Sequence, residues 1–344
     1  MESLSQLLFT GGTVALAVGF AAHIGHTVLL ANGRPAAEAL SSLTPATAQP
    51  AWAGVTGGSF VQARAAAAAA AAGAAAAAGA AARAATARAA AQPAAVAARP
   101  SPFAARSALS GGAYALAVLA FASMFGSMLL RAVVVGRGPW GNLFEFSVAF
   151  AASILGGYLV LSRRYPIRSL GFVPMGVALG LALYAASLPS KIEPLVPALQ
   201  NAPLLTIHVG MAVLSYGIFA ISFAAGVAYL VQGRADRYSW LPSQKVLDEV
   251  AYRAVIIGFP VFATMIILGS WWASIAWSRY WGWDPKETAA LVTWLIYAIY
   301  LHARNQRSWA GRPAALLLVV GFLMVLVTYS GSLWFSGLHA YSGL

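Results

Sequence analysis

The residues best suited to binding chemistry in this sequence are tryptophans that crowd into one short segment. Five of the eleven tryptophans fall between Trp271 and Trp283. Tryptophan collects at membrane–water boundaries, so an aromatic belt is one explanation. A belt, however, spreads over many helix ends, whereas a dense aromatic surface suits a flat apolar ligand that is held by stacking. The pattern therefore favours a ligand surface, and we predict a tryptophan-rich external loop at residues 271–287.

Two histidines flank this surface in the topology expected below. His208 opens the fifth apolar segment and His339 follows the eighth. Six-coordinate haem iron needs two axial nitrogens and apolar walls for the macrocycle, which a pair of neutral imidazoles beside an aromatic surface would supply. Arg279 and Lys286 lie in the same loop and could pair with the propionates. The alternative for each histidine is a hydrogen-bonded residue at the membrane interface.

The other three histidines are expected near the opposite face of the membrane. His302 ends the seventh apolar segment, and His23 and His26 lie in the second half of the first. Ionisable residues inside membrane spans are functional candidates by default. His26 and His302 could form a second pair, which would give haem two stations across the bilayer. For His23 and His26 the alternative is packing between helices, with hydrogen bonds to neighbouring groups.

Composition indicates the elements that must position these residues. The chain has 344 residues, of which 60% are hydrophobic and 9% are charged, whereas soluble domains carry about a quarter charged residues. A helix needs about 20 apolar residues to cross the bilayer. We predict an all-α, polytopic membrane helix bundle with about eight transmembrane helices, the seventh starting near Pro285. The apolar segments are Leu7–Leu30, Ala113–Val133, Leu143–Leu161, Leu170–Leu188, Leu204–Val231, Arg253–Trp272, Ala289–His302 and Ala314–Phe335.

The basic residues predict the orientation of this bundle. With eight spans, sixteen of the 21 Lys and Arg fall on one side and five on the other. Omitting the long Ala-, Pro- and Arg-rich segment at residues 31–110 still leaves ten against five, and the richer side is cytoplasmic by the positive-inside rule. We therefore expect both termini and the tryptophan-rich loop outside, and residues 31–110 as a cytoplasmic low-complexity linker. The net charge of +12 then reflects topology, and no nucleic-acid partner is expected.

Several chemistries have no support in this sequence. The chain contains no cysteine, which excludes thiol nucleophiles, Cys-ligated zinc, iron–sulfur clusters and disulfides. It has no Walker motif, no Gly-rich dinucleotide fingerprint and no His-Glu-x-x-His motif. Nucleotide-driven transport and zinc hydrolysis are therefore not indicated.

The segment Trp277–Glu287 resembles the tryptophan-rich signature of the CcsA/ResC family of cytochrome c biogenesis proteins, which act with a ResB-type partner. Other segments resemble the same family in the same order, so the resemblance covers roughly residues 111–344, beyond the first helix at 1–30 and the linker. Departures are Ser278, where glycine is usual, and Ser332-Leu333, where Val-Asn is usual. The additional segments are Pro139–Glu145, Pro194–Gln200, Leu247–Asp248, Gly258–Pro260, Tyr300–Arg304 and Ser336–Tyr341.

The resemblance implies a role for each candidate residue. His208 and His339 would be the external axial ligands of haem b, and His302 would meet haem arriving from the cytoplasmic side. The resemblance implies that the partner subunit supplies the second transmembrane haem ligand. His26 is our own alternative for that ligand. The other residues expected around the haem are Trp277, Arg279, Tyr280, Trp281, Trp283, Asp284 and Lys286.

The resulting prediction is a multi-pass protein of the bacterial cytoplasmic membrane that presents haem on its outer face. With its ResB-type partner it would support thioether attachment of haem to the Cys-x-x-Cys-His motif of apocytochrome c, as the haem-binding subunit of a holocytochrome c synthase complex. The absence of cysteine is compatible with this chemistry, because a thiol beside the haem vinyl groups would risk self-modification. The alternative is a transporter or exporter subunit for haem or another amphiphile, with no bond-forming activity.

Overall fold

The structure, a computed structural model, describes residues 1–32, 102–192, 195, 197–200, 202–233, 236–306, 309 and 311–340. Within these residues the chain forms eight α-helices and two short 3₁₀ turns, with no strand. The predicted all-α fold class is confirmed. Most of the predicted linker, from residue 33 to 101, lies outside the described residues. The helices are α1 (Glu2–Asn32), α2 (Pro102–Val135), α3 (Leu143–Arg164), α4 (Phe172–Ala186), α5 (Ala202–Gln232), α6 (Gln244–Trp277), α7 (Pro285–Arg304) and α8 (Arg312–Trp334).

Seven of these described helices are long and apolar enough to cross a membrane, which confirms an integral membrane helix bundle. The exception is α7, whose 20 residues include Lys286, Glu287, His302 and Arg304. It nevertheless begins at Pro285, as predicted for the seventh segment. Length and composition alone therefore support seven of the eight predicted spans.

Side-chain caps set where three helices begin. Asn142 caps α3, and its Oδ1 accepts a hydrogen bond from the backbone N–H of Glu145 at 2.9 Å. Ser243 caps α6. Asp284 caps α7 in a capping box with Glu287, and Pro285 occupies the first helical turn. These caps satisfy N–H groups that have no partner within the helix, so each start is encoded by a short local pattern.

The described residues among 1–32 and 105–340 form one compact unit. Within it, α5 packs along α6, α3 and α8, while α7 packs along α8 and α6. The first helix packs against α4 and also against α2, since a Cβ on Gly12 would meet Ser123 and one on Gly19 would meet Leu116. Successive helices run in opposite directions, so α3, α5 and α7 begin at the end of the bundle where α6 and α8 finish.

A buried ion pair anchors this same end of the bundle. Arg131 on α2 donates from Nε to Oε1 of Glu145 on α3 at 2.9 Å, and both side chains are buried. Glu145 also accepts the N–H of Gly141 at 2.7 Å, and Arg131 donates to the carbonyl of Ser190 at 2.9 Å. Two buried charges are tolerated when each is paired and hydrogen-bonded. The pair therefore joins α2, the start of α3 and the segment after α4.

Candidate functional site

The candidate site is a cavity at the end of the bundle where α3, α5 and α7 begin. His208 and His339 both line it, although 131 positions separate them in the sequence. We call it the histidine cavity; it holds about 1060 Å³ of space, part of it open to the surroundings. Most of its wall is apolar, and the residues used below are Trp140, His208, Met265, Gly269, Trp272, Trp281, Lys286, Tyr329 and His339.

His208 is held against α6 by its Nδ1 atom. This atom lies 2.8 Å from the backbone carbonyl oxygen of Met265, so it carries the proton that is donated there. The ring fits because position 269 is glycine, since a Cβ built on Gly269 would come within 2.5 Å of the His208 Cε1 atom. Hydrogen bonding at Nδ1 assigns Nε2 as the nitrogen available for a metal.

His339 is held by a carboxylate through the same ring atom. Its Nδ1 lies 2.8 Å from Oδ1 of Asp284, the residue that caps α7. Asp284 also accepts the N–H of Lys286 at 3.0 Å and that of Leu338 at 2.6 Å. The tail approaches this closely because Gly337 has no Cβ, which would meet the Asp284 carboxylate.

The electrostatics at Asp284 keep it ionised. Burial alone raises the pKa of this carboxyl group, but the hydrogen bond and charge of His339 and the two backbone donors lower it to about 2. An ionised carboxylate orients an imidazole and strengthens it as a metal ligand. Asp284 therefore acts on the cavity through His339.

The structure divides the tryptophan-rich segment into two groups. Helix α6 continues through Trp277, so only residues 278–284 form the loop, which is shorter than predicted. Trp272, 2% exposed, lies parallel to the His208 ring with centroids 6.4 Å apart, and is 5.9 Å from His339. Trp277 meets the His339 ring edge-on at 4.8 Å, and Trp281 lines the cavity.

Two predicted loop aromatics face away from the histidine pair. Trp283 is 69% exposed and Tyr280 is 67% exposed. Exposed aromatic side chains at a helix end match the aromatic-belt explanation. The segment is therefore divided: Trp272 and Trp281 line the cavity and Trp277 contacts His339, while Trp283 and Tyr280 lie at the surface.

The two basic residues predicted for the loop, Arg279 and Lys286, lie in different surroundings. Lys286 lines the histidine cavity. The exposed Arg279 instead folds against its own loop, with its Nε 2.9 Å from where a Cβ of Gly282 would be. Lys286 is therefore the better placed of the two for an anionic group in the cavity.

The remaining histidines lie toward the opposite end of the bundle. His302 is exposed near the end of α7, with its Nε2 2.7 Å from the side-chain amide nitrogen of Gln306. His23 is buried and its Nε2 lies 3.4 Å from the Tyr158 hydroxyl. His26 is also buried on α1, which packs against α4 and α2, whereas α7 packs on α8 and α6. The structure thus places His26 and His302 on helices with different neighbours.

Sequence reasoning did not single out Trp272 or Gly269, although both lie in the wall beside His208. Trp272 belongs to the tryptophan cluster, and its helical position is what turns it toward the histidines. Gly269 gives no signal in a single sequence, because apolar helices contain many glycines. Among the described residues, no three His, Asp or Glu side chains gather as a metal site, so the paired histidines are the arrangement that needs explaining.

Comparison with known proteins identifies the family of this chain. The model of the family described as Cytochrome C assembly protein matches residues 140–339, the range that contains the whole histidine cavity. The chain is 34% identical over 287 residues to Cytochrome c biogenesis protein CcsA of Synechococcus elongatus, covering 68% of this chain and 87% of the relative. It is 32% identical to the protein of that name from Microcystis aeruginosa, and the match covers 66% of this chain and 85% of the relative. For the Chlamydomonas reinhardtii protein of that name, identity is 35%, with 62% of this chain and 64% of the relative covered.

Proposed function

The chain belongs to the Cytochrome C assembly protein family of cytochrome c biogenesis, and we propose that it holds haem b in the histidine cavity, with His208 and His339 as axial ligands. The observation that carries the proposal is the shared orientation of the two imidazoles. In each ring Nδ1 is bonded to a protein oxygen, the Met265 carbonyl for His208 and the Asp284 carboxylate for His339. Metal-ligating histidines are oriented in this way, which leaves Nε2 as the ligand atom.

The other cavity residues suit the remaining parts of a haem. Trp272, Trp277 and Trp281 present ring surfaces next to the histidines, and aromatic contacts favour a flat macrocycle. Lys286 supplies a cation in the cavity wall that suits a propionate. Three helices, α3, α5 and α7, direct their N-terminal ends toward the cavity, and these ends favour negative charge.

The reaction proposed for the complex is thioether formation on apocytochrome c. Each cysteine S–H adds across a haem vinyl double bond, so that one C–S and one C–H bond replace the S–H bond and the vinyl π bond. The contribution of this chain is to bind and orient the haem, with a ResB-type subunit as its membrane partner. The incoming histidine of the Cys-x-x-Cys-His motif would replace one of the two imidazoles.

The placement in the membrane is part of the proposal. The excess of Arg and Lys on one set of loops supports a histidine cavity that faces outward from a bacterial cytoplasmic membrane. His302 would then lie at the cytoplasmic end and receive haem there. Its Nε2 contacts Gln306, so that contact would be given up if this nitrogen bound iron.

The test is the absorption spectrum of the complex purified with its partner from a haem-replete host. Wild-type protein is expected to show a bis-imidazole haem spectrum, and His208→Ala and His339→Ala are each expected to weaken it. His23→Ala serves as the matched control, because His23 is buried but faces Tyr158 at the other end. An unchanged spectrum in both cavity variants would refute the ligand assignment.

A separate experiment tests the inner station. His302→Ala is expected to lower haem occupancy of the histidine cavity, and Gln306→Ala, which removes its contact but keeps the imidazole, is the control. Wild-type occupancy and wild-type cytochrome c yield in His302→Ala would exclude this step.

Bond formation is tested in a minimal host that carries only this chain, its partner and an apocytochrome c. Covalent haem in the cytochrome supports the synthase role. Haem that reaches the outer face without thioether formation would instead favour an exporter.

A further inference from the structure

A second cavity, on the side of the bundle, carries an inference that rests on the proposed function. It lies between α2, α3, α5 and α6 and holds about 1180 Å³ of space, part of it open to the surroundings. We call it the lateral groove. Its wall is almost wholly apolar, and its lining residues include Phe121, Phe125, Trp140, Ala149, Gly156, Leu161, Gly210, Leu214 and Ile257.

The lateral groove runs along the membrane-spanning length of α3. Lining residues on this helix extend from Ala149 to Leu161, which is about 18 Å at 1.5 Å per residue. Its outer rim consists of Phe125, Val160, Leu214 and Ile257, all of them exposed. These side chains belong to helices that are apolar enough to cross the bilayer, so the groove opens sideways toward lipid.

Trp140 joins the lateral groove to the histidine cavity. It is the residue that lines both spaces, in the short segment between α2 and α3. Its indole N–H is buried and has no hydrogen-bond partner among the described residues. A side chain without such a bond is held by packing alone, so its displacement breaks no polar contact.

The direct path through the bundle is filled. Between the histidine cavity and the end that carries His302 lie five buried aromatic side chains: Tyr216, Phe219, Phe262, Tyr297 and Phe322. The rings of Phe219 and Tyr297 stack with centroids 3.7 Å apart. Interiors of this kind are close-packed and do not admit a large rigid ligand without separating helices.

We infer that the lateral groove is the path by which haem reaches the histidine cavity from within the membrane, passing Trp140. The groove suits a planar macrocycle, because Phe121 and Phe125 stack at 5.7 Å along its wall and the space beside Gly210 is open, since a Cβ there would meet no atom within 4 Å. The groove borders the histidine cavity at Trp140, and for this reason we assign haem, and not a partner helix, as its occupant.

The test blocks the groove without touching the histidine cavity. A Cβ at Gly210 would meet no atom within 4 Å, so Gly210→Trp places its ring in the groove. Leu214→Trp, one turn further along α5, is a second blocking variant. The matched control is Gly180→Trp on α4, where a Cβ also meets nothing within 4 Å and the position is exposed outside the groove.

The measurement is the rate at which added haem produces the bis-imidazole spectrum in the full chain with its partner, reconstituted in lipid nanodiscs. Both blocking variants are expected to slow loading and release together and to leave the equilibrium Kd unchanged, while Gly180→Trp loads like wild type. Trp140→Ala is expected to speed release.

Three results would overturn the inference. Loading of both blocked variants at the wild-type rate means that lipid alone occupies the groove. A raised Kd with an unchanged loading rate means that the groove only supports the binding site. If the wild-type protein gives no spectrum that depends on His208 and His339, the proposed function itself is refuted. This outcome can be told apart from failure of the groove inference, in which the spectrum forms but the blocked variants load as fast as wild type.

Discussion

Replacing Gly269 with alanine adds a single methyl group against the ring of His208. The new Cβ would lie 2.5 Å from Cε1 and 3.0 Å from Nδ1, whereas ordinary contact begins at 3.4 Å. The imidazole must therefore move by nearly an ångström. That movement also lengthens its 2.8 Å hydrogen bond to the Met265 carbonyl, so both the position and the orientation of Nε2 change.

The cost of this change can be estimated from packing. Overpacking by one methyl group in a well-packed site costs about 1–3 kcal/mol. If the strain is relieved in the haem-free protein and returns on ligation, haem affinity falls roughly 5- to 150-fold. We expect the helices to remain folded, because the His208 side chain can move into the cavity it lines.

The assay is a haem titration of the purified protein followed by absorbance, with thermal unfolding as a measure of folding. Gly180→Ala is the control, since a Cβ there meets no atom within 4 Å. A Kd for Gly269→Ala within twofold of the Gly180→Ala value would refute the reasoning, because His208 would then not bind iron from its position against α6.

Three further substitutions test other parts of the structure. Asp284→Asn keeps a helix-capping residue but removes the charge that orients His339, and haem affinity in titrations is expected to fall roughly 10- to 100-fold; a change below threefold would argue against this role. Glu145→Gln leaves Arg131 buried without a counter-charge and should lower the free energy of unfolding in denaturant by about 3–5 kcal/mol. Adding Arg131→Met should recover most of this loss. An equal loss in the double variant would contradict this role. Ser278→Gly should raise the free energy of unfolding by about 0.5–1 kcal/mol. The backbone at Ser278 is left-handed, with φ 56, and glycine adopts that conformation without a steric penalty. A lowered free energy of unfolding would contradict this prediction.

The sequence predicts the helices well because hydropathy and caps are local signals. Hydropathy and Pro285 predict the start of the seventh segment, and α7 begins there with the Asp284 capping box. Hydropathy reports only the part of a helix that lies in hydrocarbon, however. The predicted segment at Arg253 therefore misses the first turns of α6, which start at Gln244 and carry charged residues.

The tryptophan-rich segment shows a different limit. A cluster of aromatic residues indicates a surface but not which side chains face a ligand. Helix α6 continues past Pro260 as far as Trp277 and ends at Ser278, which adopts a left-handed conformation. This helical geometry turns Trp272 toward His208, while Trp283 in the loop faces outward.

The contacts that orient the two histidines could not be read from spacing. His339 meets Asp284 across 55 positions, and His208 meets Met265 across 57. Such contacts depend on which helix ends meet, and hydropathy leaves that choice open. The ligand assignments for His208, His339 and His302 stay predictions until the spectra are measured.

The attachment of the segment after α8 to the start of α7 has a thermodynamic consequence. One carboxylate, that of Asp284, accepts hydrogen bonds from both the Leu338 N–H and the His339 ring, so the attachment of this segment and the position of the proposed ligand are coupled. If His339 ligates haem as proposed, haem binding would strengthen the attachment of the segment. A partner that detaches the segment would then weaken haem binding by the same free energy, without entering the cavity.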